Sequence, residues 1–232
     1  MDLRDFYDLS EEKYNKFQKY MNLLIERNKN INLTAITDKD EIVLKHFVDS
    51  LTINKYIVDN SKIIDVGTGA GFPGIPLKIY NESLDITLLD SLNKRINFLN
   101  DVIEMLNLNK IRAVHSRAED AAKNPDYRER FDIATSRAVA NLSTLVEYLL
   151  PFVRVNGICI CMKGPNVDEE LSRAKKAIEV LGGRIEQVDN LKLAADDAEN
   201  DLERNIIIIR KVRKCSNKYP RKAGMPSKEP IN

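Results

Sequence analysis

The chain has 232 residues, 43% of them hydrophobic and 31% charged, and a formal net charge of +1. That balance excludes disordered and fibrous classes, and the length suits one large α/β domain with an extension. No apolar run approaches the roughly 18 residues needed to cross a bilayer, and the start MDLRDFYDLSEEKYNKF is acidic where a secretory leader is basic and then apolar, so a cytoplasmic protein is expected.

Phe17, Tyr20, Met21 and Leu24 recur at helical spacing, and a second helical pattern runs from Glu41 to Ile57, which predicts a helical extension over residues 1–60. From Ile63 the chain changes to short β-branched runs alternating with helical stretches. Strands are expected at Ile63–Val66, Ile86–Asp90, Ile111–His115, Phe131–Ser136, Gly157–Lys163, Ile185–Val188 and Asn205–Arg210. Helices are expected at Ile75–Tyr80, Asn93–Leu106, Asn141–Leu150 and Val167–Leu181. Strands joined by crossover helices build a mostly parallel, doubly wound seven-stranded sheet with helices on both faces, here over residues 61–213. The last two strands are instead joined by the polar stretch LKLAADDAENDLER, which fits a loop between an antiparallel pair at the sheet edge.

Cys159 and Cys161 lie two apart in GICICMKG, hence on one face of a strand, and with Cys215 they read as buried reduced thiols rather than a metal or redox site. His46 and His115 are too far apart in sequence to suggest a metal centre, and none is expected. His115 ends a strand and reads as structural. His46 lies on the second helix, which either covers a ligand pocket or packs into the core. Residues Asp189–Glu203 are acidic and Arg210–Lys222 strongly basic, a charge separation that the near-zero net charge conceals.

Ile63-Ile64-Asp65-Val66-Gly67 reads as a buried strand ending in a glycine-rich turn, with Pro73 and Pro76 suited to the loop and the first helical turn. Gly69, Gly71 and Gly74 satisfy G-x-G-x-x-G, so a dinucleotide site has to be considered. Asp65 argues against it, because a carboxylate before the turn repels a pyrophosphate and favours a ligand with sulfonium and ammonium charges, S-adenosylmethionine; the alternative for Asp65 is a cap or turn residue. Asp90 ends the next strand, where a carboxylate accepts from ribose hydroxyls of either cofactor. After the third strand, Ala118 and Glu119 suit an adenine site, and Glu119 equally suits a first-turn helix acid.

Several segments together resemble the bacterial glucose-inhibited division protein B family, the small-subunit ribosomal RNA methyltransferase G group. They are NKNINLTAIT (28–37), HFVDSL (46–51), DVGTGAGFPGIP (65–76), DSLNKR (90–95), RAE (117–119), SRAVA (136–140) and YPRKAGMPSK (219–228). Met225 departs from the small or hydroxylated residue expected there. The resemblance implies a Rossmann-like class I fold, S-adenosylmethionine as cofactor, and methylation of N7 of a guanine in 16S rRNA, free or in the small ribosomal subunit; a monomer is expected. It also implies cofactor-site roles for Gly67, Gly69, Gly71, Phe72, Ala118, Glu119 and Arg137. Arg137 follows strand four and either holds the methionine carboxylate or an RNA phosphate, or forms a surface ion pair.

The segment FDIATSRAV lacks both the Asp/Asn-Pro-Pro-aromatic sequence of amino-group methylation and a Pro-Cys pair for covalent attack on a pyrimidine. That agrees with an acceptor that has a lone pair and no proton, without selecting guanine N7 by itself. The basic tail, residues 214–232 with Arg213 just before it, interleaves cations with Tyr219, so Arg213, Lys214, Lys218, Arg221 and Lys222 are candidate RNA contacts, against a frayed solvated terminus. Lys94 and Arg95 open a helix, where positive charge opposes the dipole, and either serve RNA or pair with Asp90. The rival readings are a methyltransferase for another RNA or a small molecule, a nicotinamide-dependent oxidoreductase, and a catalytically silent RNA-binding module.

Overall fold

The computed structural model describes residues 1–137, 139–193 and 202–231. Seven strands form one sheet in the order β3-β2-β1-β4-β5-β7-β6. They are β1 (Lys62–Val66), β2 (Asp85–Asp90), β3 (Ile111–His115), β4 (Phe131–Arg137), β5 (Val153–Lys163), β6 (Gly183–Leu193) and β7 (Leu202–Lys211). β1 to β5 pair in parallel, while β7 runs antiparallel to both β5 and β6.

Alternation along the strands divides the apolar residues between two cores. Ile63, Ile86, Ile158, Ile160, Ile206 and Ile208 face one side, packed with α1 (Glu11–Ile31), α4 (Gly74–Tyr80) and α5 (Asn93–Met105). Ile64, Leu89, Cys159, Cys161, Ile207 and Ile209 face the other, against α7 (Leu142–Leu149) and α8 (Asp168–Val180). The cysteines thus share a face and stay as free, buried thiols. The N-terminal helix shares a core with the sheet: Phe17, Tyr20 and Leu24 are fully buried in the first cluster.

Two elements differ from the sequence expectation. The second N-terminal helix begins as α2 (Lys39–Ile42), capped by Asp38, widens into a π-helical segment Val43–Val48, and returns to α3 (Asp49–Leu51) before a 3-10 turn Asn54–Tyr56. Hydrophobic spacing does not report such a change of winding, which concentrates at functional sites. The hairpin is also longer than its hydrophobic stretch, since β6 and β7 pair through Asn190–Asn205, Lys192–Glu203 and Leu193–Leu202. Backbone pairing continues there past the contiguous apolar run, where Leu191, Leu193 and Leu202 alternate with polar residues. Of the expected connecting loop, residues 194–201 lie outside the described residues. No helix of the described residues is long and apolar enough to cross a membrane.

Candidate active site

A cleft of about 950 Å³ opens at the carboxyl ends of β1, β2 and β4, where an open parallel sheet binds ligands. Its floor is the turn Gly67–Ala70. Gly67 and Gly71 have φ of +70° and +104°, in the left-handed region, and a Cβ at Gly67 would lie 2.6 Å from the Val139 side chain. Around Gly69 (φ +62°) the space where a Cβ would stand is open, so backbone rather than side chain faces the cleft. The turn is held from behind by the N-terminal extension, because the buried Tyr20 hydroxyl donates to Ala70 O at 2.5 Å.

Asp65 does not line this cleft and is fully buried. Its Oδ2 accepts from Thr68 Oγ1 at 2.6 Å and from the Gly74 N–H at 2.9 Å, at the start of α4. Burial pushes its carboxyl up to about 6, against those two hydrogen bonds. The expected direct attraction of a cationic ligand is therefore corrected to a structural role, fixing the loop that carries Gly67, Gly69 and Gly71. Asp90 does line the cleft. Its Oδ2 accepts from Gly69 N at 2.9 Å and pairs with Arg95 Nη1 at 3.1 Å, and its Oδ1 accepts from Leu92 N. Arg95 is thus the ion partner of Asp90 in the cleft wall, the pairing that the sequence offered as the alternative to an RNA contact. Lys94, the next residue back on α5, is exposed.

At the opposite end, Ala118 and Glu119 begin α6 (Ala118–Ala121) and both line the cleft. Glu119 accepts the Gly224 N–H at 2.8 Å, so the C-terminal segment closes this end. That segment is docked, not frayed. Arg128 donates to the carbonyls of Cys215, Ser216 and Tyr219, Thr144 Oγ1 donates to Pro226 O, and α9 (Met225–Lys228) lies beside α7. Arg221 pairs through Nε and Nη2 with the fully buried Glu147 carboxylate, which also accepts its backbone N–H. Arg221 is therefore a docking anchor, a correction to its assignment as an RNA contact. Arg213 donates to Glu179 O from an exposed position, while Lys214, Lys218 and Lys222 are exposed.

The remaining wall gathers residues from six chain segments. Arg137, at the end of β4, donates through Nη1 to Lys45 O and Asp49 Oδ2, both at 2.9 Å, and through Nη2 to His46 Nδ1 at 3.1 Å. Its guanidinium lies 4.9 Å from the centroid of Phe72, on which the His46 ring stacks at 4.3 Å. Arg204 from β7 donates to Asp49 Oδ1 at 2.9 Å. Asp49 has no exposure, so one buried carboxylate carries two arginines at the cleft, and the surface-ion-pair reading of Arg137 does not hold. Burial and the Arg137 charge push the His46 imidazole down to about 3, so the ring is neutral. Lys163, on β5, reaches Ala140 O and Glu170 at 2.8 Å. Asp49, Arg204, Thr34 and Lys163 all border the cleft and were not singled out from sequence. His115, by contrast, only caps Ser91 O at 3.0 Å.

A family model described as rRNA small subunit methyltransferase G matches residues 13–216. The chain belongs to that family. The ribosomal RNA small subunit methyltransferase G of Clostridium tetani (strain Massachusetts / E88) is 52% identical over 95% of this chain and 92% of its own length. The protein of the same name from Desulforamulus reducens is 51% identical over 97% and 93%. Among solved structures, the M. jannaschii TYW2 complex with AdoMet superposes with a TM-score of 0.55 at 11% identity, covering 90% of this chain and 80% of that one. An Aquifex aeolicus SAM-dependent methyltransferase gives 0.55 at 17% identity over 77% and 96%. At those identities the structures establish a shared Rossmann-like fold. With the family match, they make the chain a methyltransferase of that family, and the oxidoreductase reading is set aside.

Proposed function

We propose that the protein transfers the methyl group of S-adenosylmethionine to N7 of a guanine in 16S rRNA, with the small ribosomal subunit or its RNA as the substrate. The observation that carries the reading is the near-full-length match to the methyltransferase G family, laid over a cleft whose chemistry suits the donor. The cleft offers backbone at Gly67–Ala70, a carboxylate at Asp90 for ribose hydroxyls, and the Ala118–Glu119 edge for adenine. On the opposite wall Arg137 and Arg204 supply positive potential for a carboxylate or phosphate. The ligand carries sulfonium, ammonium and carboxylate charges, and this wall-to-wall separation of acid and base matches them. When bound, it supplies an electrophilic methyl group.

Guanine N7 has a lone pair and no proton, so the transfer needs neither a general base nor a covalent nucleophile. The cleft agrees with that economy. Its one histidine, His46, is held as a neutral acceptor of Arg137. Cys159 and Cys161 face the core on the other side of the sheet, where burial pushes the Cys161 thiol up to about 12. Rate enhancement then comes from orientation and from fixed charge. Lys94, Lys214, Lys218 and Lys222 are exposed cations for the RNA backbone; Lys222 lies two residues from Gly224 at the cleft rim, and Lys94 is the neighbour of Arg95.

Small subunits and deproteinised 16S rRNA lacking the modification, incubated with methyl-tritiated donor, should take up label. Aniline scission after borohydride should then map to one guanine. Label at a base amino group, in a pyrimidine, or nowhere would refute the proposal.

A further inference from the structure

The run from Asn28 to Ile36 delivers one hydroxyl to the cleft with a fixed hydrogen-bonding sense. Asn28, in the last turn of α1, clasps the backbone beyond the helix. Its Oδ1 accepts from Leu33 N at 2.6 Å and Thr34 N at 2.9 Å, and its Nδ2 donates to Thr34 O at 2.8 Å. Thr34 is thereby held rigidly at the cleft, between Leu33 and Ile36, which border it too.

The sense of the hydroxyl follows from its neighbours. A guanidinium only donates. His46 Nδ1 lies 3.1 Å from both Arg137 Nη2 and Lys45 O, but a proton there would face the guanidinium, and Lys45 O already accepts from Arg137 Nη1 at 2.9 Å. His46 Nδ1 is therefore the acceptor of Arg137 and the ring proton is on Nε2. Nε2 then donates to Thr34 Oγ1 at 2.9 Å, and Ile36 N donates to the same oxygen at 3.1 Å. Both lone pairs of Thr34 Oγ1 are filled. Its own proton has no acceptor among the described residues, and it is the only hydrogen-bonding capacity that the group has left. The chain of reasoning starts at Asp49, whose buried charge fixes Arg137. A hydroxyl ordinarily accepts or donates as required; this one is confined to donating.

On the edge of a purine beside N7, guanine presents the O6 acceptor, whereas adenine presents an amino donor. We propose that Thr34 is a specificity-determining residue, whose hydroxyl donates to the O6 carbonyl of the target guanine and rejects a purine with a donor or nothing at that position. This inference rests on the proposed guanine-N7 reaction. It adds to it the group that reads the base, and it gives the relay Asp49–Arg137–His46–Thr34 a purpose: orientation of one proton.

The test is methyl transfer to small subunits reconstituted on 16S rRNA with guanine or 2-aminopurine at the methylated position. 2-Aminopurine keeps N7 and the 2-amino group and lacks O6. Intrinsic differences between the two purines cancel when variants are compared. Wild-type protein should prefer guanine in kcat/KM, and Thr34→Val should lower that preference by about tenfold, the worth of one good hydrogen bond. Thr34→Ser, which keeps the hydroxyl, should retain it. Affinity for S-adenosylhomocysteine, measured by calorimetry, should be alike in all three and reports that the cleft is intact. An unchanged guanine preference in Thr34→Val overturns the inference. So does weakened S-adenosylhomocysteine binding with the preference intact, which would put the hydroxyl on the donor. Absence of any guanine-N7 product with wild-type protein overturns the proposed function and this inference with it.

Discussion

Removal of the Asp49 carboxylate should cost the fold heavily. It is fully buried and accepts from Arg137 and Arg204, whose side chains are only 13% and 20% exposed. Asp49→Ala leaves both guanidinium groups near the cleft without their counter-charge. Breaking a buried pair by deleting one partner costs about 3–5 kcal/mol. The lower end applies here, because Arg137 keeps Lys45 O and His46, and Arg204 keeps Glu203 O. For a domain of this size each kcal/mol moves the melting midpoint by about 2–4 °C, so a loss of about 3 kcal/mol lowers it by roughly 6–12 °C. Differential scanning calorimetry of the ligand-free protein reads this directly. Replacing all three residues, with Asp49→Leu, Arg137→Met and Arg204→Met, should recover part of the loss, since the penalty lies in the unpaired charges. A midpoint within 2 °C of wild type for Asp49→Ala would refute the argument from burial.

Three further outcomes follow from the site. His46 titrates at about 3 in the fold against 6.5 in the unfolded chain, so unfolding binds a proton between those values. Its contribution is complete above pH 6.5 and is lost as pH falls towards 3, on the order of 4 kcal/mol in all. His46→Phe, which keeps the ring on Phe72, should flatten the acid limb of a stability-versus-pH curve by that amount; parallel curves would contradict it. Gly67→Ala forces a side chain to φ +70°, at about 1–2 kcal/mol of backbone strain, and drives its Cβ against Val139, so S-adenosylhomocysteine affinity should fall at least tenfold by calorimetry. Affinity within twofold would show that the turn does not shape the ligand site. In the tail, Lys214→Gln, Lys218→Gln and Lys222→Gln should each reduce the log-log salt dependence of RNA binding by up to roughly 0.7. Arg221→Ala should instead lower the melting midpoint through the stranded Glu147, and a lysine series with an unaltered slope would remove the tail from the RNA interface.

Much of the architecture was legible because two periodicities report it directly. Runs such as Ile206–Ile209, short and wholly β-branched, favour strands buried on both faces, and the helices between them carry spacings that match their observed positions. The glycine turn was legible for a related reason, as positive φ at Gly67 and Gly71 excludes most other residues. Asp65 was read as a ligand contact because sequence places a carboxylate before the turn but does not tell which way it points. In the fold it points at Thr68 and Gly74. Arg221 was misread in the same manner: a cation in a basic tail looks available until Glu147, buried on α7, takes it.

The sequence by itself determined the sheet, its crossover helices, the cofactor turn and the family, since each is written in local spacing or in contiguous motifs. Only the tertiary structure decided the arginine wall. Asp49, Arg137 and Arg204 come from α3, β4 and β7, and Thr34 from the loop after α1. No periodicity links them; they meet because the N-terminal helices fold over the carboxyl ends of the strands. There the scarcity of water makes each buried charge find its partner, and the partners it finds set which atoms face the ligand.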